Sequence, residues 1–116
     1  MVNKVSFNTR QKCKECILSN KYVVIKISAG WCGPCKRIAS LVDGSLEELP
    51  ATTVVVVVDF DAHRDVANAL KIKSVPTFLF YKNGAPDICL VGANPKKVQN
   101  FFASVNSKIL ADQKTG

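Results

Sequence analysis

The apolar positions of this chain switch between two spacings. Residues 2–7 read as a short strand, and Asn8 or Thr9 can cap a helix over residues 10–20. Residues 22–28 (YVVIKIS) are mostly β-branched and apolar, which suits a strand covered on both faces. Pro34 then stands where a first helical turn tolerates proline. Ile38, Leu41, Val42, Leu46 and Leu49 recur at helical spacing until Pro50 stops them. Residues 53–59 (TVVVVVD) form a second buried strand, and residues 65–70 fit a short helix. Residues 77–81 form a strand that Asn83-Gly84 turns back, and residues 88–91 answer it. Val98, Phe101, Phe102, Val105 and Ile109 make the apolar stripe of a last helix.

This order predicts an α/β protein. Two right-handed crossovers build a parallel core, the hairpin adds antiparallel strands, and helices cover both faces. The expectation is a three-layer α/β/α sandwich forming one domain over residues 1–111, with residues 112–116 frayed.

At 116 residues, with 47% hydrophobic and 22% charged, the chain is long enough for one buried core and unlike a disordered or low-complexity chain. Its longest apolar run, the five valines at 54–58, falls far short of the ~18 residues of a membrane helix. The first residues carry no apolar signal stretch, so no export is expected. Lys and Arg number 16 against 9 Asp and Glu, a net charge of +7. Before residue 43 stand Lys4, Arg10, Lys12, Lys14, Lys21, Lys26, Lys36 and Arg37 against Glu15 alone. Such a basic first third can steer an acidic partner, although a solvated lysine surface is the plainer reading. No basic cluster interleaves with aromatics, so no nucleic-acid partner is expected.

The five cysteines include two pairs at one spacing, Cys13/Cys16 and Cys32/Cys35, with Cys89 alone. Without an export signal, CxxC points to redox chemistry or metal rather than a structural disulfide framework. In Trp31-Cys32-Gly33-Pro34-Cys35 the pair opens a helix, on one face and close enough to join. A thiolate there meets free amides and partial positive charge, which draws the Cys32 pKa toward neutrality. Cys32 is therefore the attacking sulfur. Cys35, a turn further in and expected to be the more buried, resolves the mixed disulfide. Gly33 permits the tight turn, Pro34 fixes its shape, and Trp31 supplies a flat apolar wall.

WCGPCK after an apolar strand, then SVPTFLFYKNG (74–84) and LVGAN (90–94), resembles the thioredoxin family over nearly the whole chain. The resemblance implies a five-stranded sheet flanked by four helices and protein-disulfide reduction through a redox-active Cys32–Cys35 disulfide. It implies no bound cofactor or metal. Recharging falls to an NADPH-linked thioredoxin reductase. The implied clients are peroxiredoxins, methionine sulfoxide reductases and ribonucleotide reductase, served by a cytoplasmic monomer. It further implies that Pro76 is cis beside the active-site pair, that the Val75 backbone pairs with substrate, and that Gly92 keeps the substrate groove open.

Several positions depart from the family's pattern. Lys26 stands where the family usually buries an aspartate behind the inner cysteine, and the partner lysine of the next strand is replaced by Val57. Either Lys26 serves the Cys35 proton or thiolate, or it reaches solvent or an acid such as Asp59 or Asp61 and does no chemistry. Ser28 replaces an aromatic. Ser40 replaces a helix-kinking proline, so that helix is expected to be straighter, and Gly44 weakens it. Asp61 matches an acid that supports the family's tryptophan. Cys13 and Cys16, flanked by Lys12 and Lys14, are either regulatory thiols favoured as thiolates by those cations or two half-buried helix residues. The four paired cysteines also match a zinc spacing, but a zinc ribbon places its knuckles on hairpins and not at the start of a long helix. Cys89 is expected to pack within its strand, and His63 to be solvated without a role. Two other functions remain open: a subunit whose fold serves assembly, and a disulfide-forming oxidase or isomerase.

Overall fold

Valine and isoleucine dominate the strands at the centre of the molecule, and they are buried on both sides. The structure, a computed structural model, describes residues 2–115. Its elements are β1 (Asn3–Val5), α1 (Arg10–Ser19), β2 (Tyr22–Ser28), α2 (Gly33–Arg37), α3 (Ala39–Glu47), β3 (Thr53–Asp59), α4 (Arg64–Ala69), β4 (Thr77–Lys82), β5 (Ala85–Val91) and α5 (Pro95–Thr115). One five-stranded sheet runs β1-β3-β2-β4-β5, parallel across β1, β3 and β2 and antiparallel at β4 and β5. This is the mixed α/β sandwich expected from the sequence.

Alternation along each central strand feeds two cores. On one face Val24, Val55, Phe78 and Phe80 pack against α3 and α5, including Val42, Leu46, Val98, Phe102 and Ile109. There Phe101 and Phe102 meet edge to face at 5.1 Å, with Phe78 5.8 Å from Phe101. On the other face Val23, Ile25, Ile27, Val56 and Val58 pack against Cys13 and Ile17 of α1 and Val66 and Ala67 of α4. By this alternation Lys26 falls on the first face, in line with Val24.

The register decides where chemistry can gather. Ser28 lies beside Asp59, Ile27 opposite Thr77, and Thr77 opposite Val91. The loops after β2 and β3, the segment entering β4 and the exit of β5 therefore meet at one end of the sheet. That end is the carboxyl edge of the parallel strands, where open α/β sheets place their sites.

The structure corrects five expectations. The helix after Pro34 is not straighter for lacking a proline. It breaks at Ile38 (φ −103°, ψ 5°), so five helical segments stand among the described residues where four were expected. The break falls where this β-branched residue turns into the core, 4% exposed. Residues 112–115 do not fray, because α5 continues to Thr115. Asp112 in its last turns accepts from the Tyr22 hydroxyl and pairs with Lys21 at 3.0 Å and Lys82 at 3.2 Å. Gly116 lies outside the described residues. Strand β5 begins at Ala85, three residues early, and carries Pro86, which an edge strand tolerates. Cys89 is not packed but exposed. On that edge strand Ile88 and Leu90 turn to the α5 side, which puts Cys89 on the opposite face. His63 is not free in solvent either, since its Nδ1 accepts the Asp59 amide at 2.9 Å. The Asn83-Gly84 turn forms as expected, with both residues at positive φ (54° and 80°).

Candidate active site

Cys32 ends the loop that leaves β2 and caps α2. Its backbone is extended (φ −83°, ψ 102°), its amide donates to Ala29 at 3.2 Å, and its carbonyl accepts from Lys36 at 3.2 Å. Pro34 has no amide to satisfy in this first turn. The Cys35 amide donates to Cys32 Sγ at 3.1 Å, so the sulfur occupies the place of a capping oxygen. Cys32 and Cys35 are joined by a disulfide, with Cα atoms 5.3 Å apart.

Burial runs opposite to expectation. Cys32 is 2% exposed and Cys35 is half-buried. Cys35 lines an open cavity of about 310 Å³ together with Lys26, Ser28, Asp59, Pro76 and Phe78. A serine at position 28 leaves this room where an aromatic would fill it. Lys26 is half-buried, and no carboxylate lies within 4 Å of its ammonium among the described residues. The nearby Asp59 is committed elsewhere. Its Oδ1 accepts the Ala62 and Asp61 amides at 2.9 Å each, and the first of these bonds, with the second, holds its pKa below the usual range.

The segment entering β4 brings a cis Val75–Pro76 bond to the same place. Pro76 is buried and shares the cavity with Cys35, while Val75 is half-buried above it. The Gly92 amide donates to the Pro76 carbonyl at 2.9 Å. Gly92 sits at φ +112°, where a side chain is strained, with no atom within 4 Å of where a Cβ would stand. Open space therefore lies at Gly92, next to the Pro76 carbonyl that its amide holds.

Trp31 is 66% exposed beside the disulfide. Its indole Nε1 donates to Asp61 Oδ2 at 2.6 Å, and Asp61 Oδ1 in turn meets Arg64 at 3.5 Å. Arg64 lies over the Phe60 ring, 4.7 Å from its centre. Sequence reading singled out Asp61 but missed Arg64 and Phe60. The three-residue spacing of Asp61 and Arg64 at a helix start was the available signal.

The second cysteine pair lies apart from this site, on α1. Cys13 is buried and Cys16 half-buried, and both are free thiols. Burial pushes the Cys13 thiol up to about 11, with a smaller push from Cys16. Burial also raises Cys16, against a weak donation to its sulfur from Asn20. The thiolate-favouring effect expected from Lys12 and Lys14 is therefore overturned by desolvation. Among the described residues no three His, Cys, Asp or Glu side chains gather as a metal site, and no helix is long and apolar enough to cross a membrane.

Comparison with known proteins gives one answer. A family model described as thioredoxin matches residues 4–104. Thioredoxin-1 of Saccharomyces cerevisiae is 35% identical over 98 residues, covering 84% of this chain and 94% of its own. A thioredoxin of Ophiophagus hannah is 35% identical over 99 residues, covering 85% and 93%. The solution structure of the oxidised thioredoxin from Plasmodium falciparum superposes with a TM-score of 0.75 at 31% identity, over 91% of this chain and 99% of that one.

Proposed function

This chain belongs to the thioredoxin family and is a thiol-disulfide oxidoreductase, and on that premise we propose that it reduces protein disulfides with Cys32 attacking and Cys35 resolving. In the reduced protein the Cys32 thiolate attacks one sulfur of a client disulfide. A mixed disulfide forms, and the other client sulfur leaves as a thiolate that takes up a proton. The Cys35 thiolate then attacks Cys32 Sγ, which forms the Cys32–Cys35 bond and releases the second client sulfur. Two electrons and two protons pass to the client, and the pair ends in the bonded state described above. The observation that carries this reading is the Cys35 amide on Cys32 Sγ at 3.1 Å, because a donor so placed favours negative charge on the attacking sulfur.

The open space at Gly92, next to Pro76, would receive an extended client backbone, with Val75 offering its own backbone for pairing. Trp31, braced by Asp61, forms one wall, and Gly33 and Pro34 set the turn that presents Cys32. Lys26 would favour the Cys35 thiolate from the cavity they share, a role supported by its lack of an acidic partner. Cys13 and Cys16 are assigned no step, since their thiols are held protonated at neutral pH.

The sequence forms one domain and acts as a monomer without a bound cofactor or metal. A reductase drawing on NADPH would restore it. Peroxiredoxins, methionine sulfoxide reductases and ribonucleotide reductase are the client classes, and a reducing compartment such as the cytoplasm is the setting.

The test is turnover of insulin disulfides with dithiothreitol as electron donor. Cys32→Ser should abolish turnover. Cys35→Ser should accumulate a client-linked mixed disulfide through Cys32. A Cys32→Ser variant that retained turnover, or a trapped adduct on Cys13, Cys16 or Cys89 instead, would remove the assignment.

A further inference from the structure

The positive charge of this protein is not spread evenly over its ion pairs. At the end of the sheet remote from the site most of the acids are engaged, with Glu48 and the cation Lys114 in no ion pair among the described residues. Lys4 pairs with Glu47, Lys108 with Asp87, and Lys21 and Lys82 with Asp112. The basic first third is thus partly neutralised. At the site end the cations are left over. Lys36 and Arg37 close α2, Lys73 stands two residues before Val75, and Lys96 and Lys97 lie in the first turn of α5, just past Gly92. All five are exposed, and none has an acid within 4 Å among the described residues. The acids nearby are already held, Asp59 by backbone amides, Asp61 by Trp31 and Arg64, and Asp65 by Arg10 at 2.7 Å.

One placement runs against local stability. Positive side chains in the first turn of a helix oppose its macrodipole, and acids are favoured there. Helix α5 begins Pro95-Lys96-Lys97 with no acid in its first turn. The charge costs the helix something and sits beside the open space at Gly92.

Resting on the reductase reading above, we propose that this basic rim is a docking surface for client segments rich in aspartate and glutamate around their disulfide. The rim attracts such a segment over a distance set by ionic strength and holds it across Trp31, Val75 and Gly92, so it selects clients by charge before the sulfurs meet. Acidic protein segments are favoured over nucleic acid because Trp31 is the one exposed aromatic among the large hydrophobic side chains of the described surface, too few for base stacking.

The test uses the full chain and two peptides that share one disulfide loop, flanked by glutamates in one and lysines in the other. In about 10 mM salt, where screening reaches ~30 Å, the acidic peptide should be reduced at least ~10-fold faster. In about 1 M salt, where screening falls to ~3 Å, the difference should largely vanish. Lys96→Glu/Lys97→Glu should erase most of the preference. This variant suits the α5 dipole better than the native pair, so a lost preference cannot be laid to unfolding. Reversing the same charge at the far end, with Lys108→Glu/Lys114→Glu, should leave the preference in place. Equal rates for the two peptides at low salt would overturn the proposal. So would a short DNA duplex that competes with the reaction while the peptides react alike. Insulin with dithiothreitol as electron donor separates the two failures. If insulin is reduced without any peptide preference, only the docking surface falls, and if it is not reduced the reductase reading falls with it.

Discussion

Lys26 and Cys35 line the same cavity, on the α3 and α5 side of the sheet, and the lysine has no carboxylate within 4 Å there. In the proposed role the cation would act on the thiolate of the resolving sulfur, whereas a carboxylate would act on its proton. The two arrangements differ in their dependence on pH.

Replacing Lys26 by methionine keeps the length of the side chain and removes the charge. The Cys35 thiolate should then be less populated at neutral pH. A tenfold smaller thiolate fraction, partly offset by the greater nucleophilicity of the more basic sulfur, leaves resolution of the mixed disulfide about threefold slower. The gap should close as pH rises and the thiolate becomes fully populated. Stopped-flow decay of a preformed mixed disulfide, measured from pH 6 to pH 10, reads this directly. Superimposable profiles for the two proteins would leave Lys26 a packing residue.

The bond from Trp31 to Asp61 holds an exposed ring in place. Asp61→Ala should free the ring and lower insulin reduction several-fold, while Asp61→Asn, which can still accept from the indole, should recover most of the rate. Because Asp61 is exposed and far from the core, thermal stability should move by less than ~1 kcal/mol in either variant. Indole fluorescence anisotropy would report the mobility independently of turnover.

Much of this was legible in the sequence, because each central feature is local. Continuous β-branched runs, the Asn83-Gly84 turn and the WCGPC segment each specify their structure within a few residues. The features missed depend on distant groups. Asp112 is pinned by Tyr22, Lys21 and Lys82, 90, 91 and 30 residues away, so a polar tail read as frayed. The cavity that Cys35 lines exists only when β2, α2 and β4 are assembled. Helix α3 separates from α2 because Ile38 must reach the core, a packing demand that no proline announces.

Asp112 also sets an acid limit. Hydrogen bonds, first from Tyr22 and then from Lys21 and Lys82, hold its carboxyl well below the usual range. A depressed carboxyl contributes stability that is present above its unfolded value of about 3.9 and lost as pH falls below it. Asp112→Asn should therefore lower the urea midpoint at pH 6, with the gap to the parent narrowing progressively as pH falls below about 4. A difference that stays constant across this range would exclude the linkage.

The free thiols should separate by burial. Cys89 is exposed, Cys16 half-buried and Cys13 buried with its thiol pushed to about 11 from an ordinary 9.0. Iodoacetamide at pH 8, followed by peptide mass analysis of the oxidised protein, should label Cys89 first, Cys16 more slowly and Cys13 only as the chain unfolds. A raised thiol leaves stability intact below its unfolded value and erodes it as pH climbs toward the folded one. Urea midpoints should therefore fall between about pH 9 and 11, and less steeply in Cys13→Ala.

Two glycines test the backbone in opposite directions. Gly44 lies exposed within α3 with nothing within 4 Å of where a Cβ would stand. Gly44→Ala should stabilise the protein by roughly 0.5–1 kcal/mol, since glycine in a helix interior loses more conformational freedom than alanine on folding. Gly84 sits at φ +80° in the hairpin turn, and a Cβ there would stand 3.1 Å from Leu18 Cδ2. Alanine must then adopt a left-handed backbone and displace that side chain, so Gly84→Ala should destabilise by about 1 kcal/mol or more. Chemical denaturation of both variants decides the matter. A stabilised Gly84→Ala would mean that the turn relaxes away from the positive-φ geometry, and a destabilised Gly44→Ala would mean that α3 is already strained at its centre.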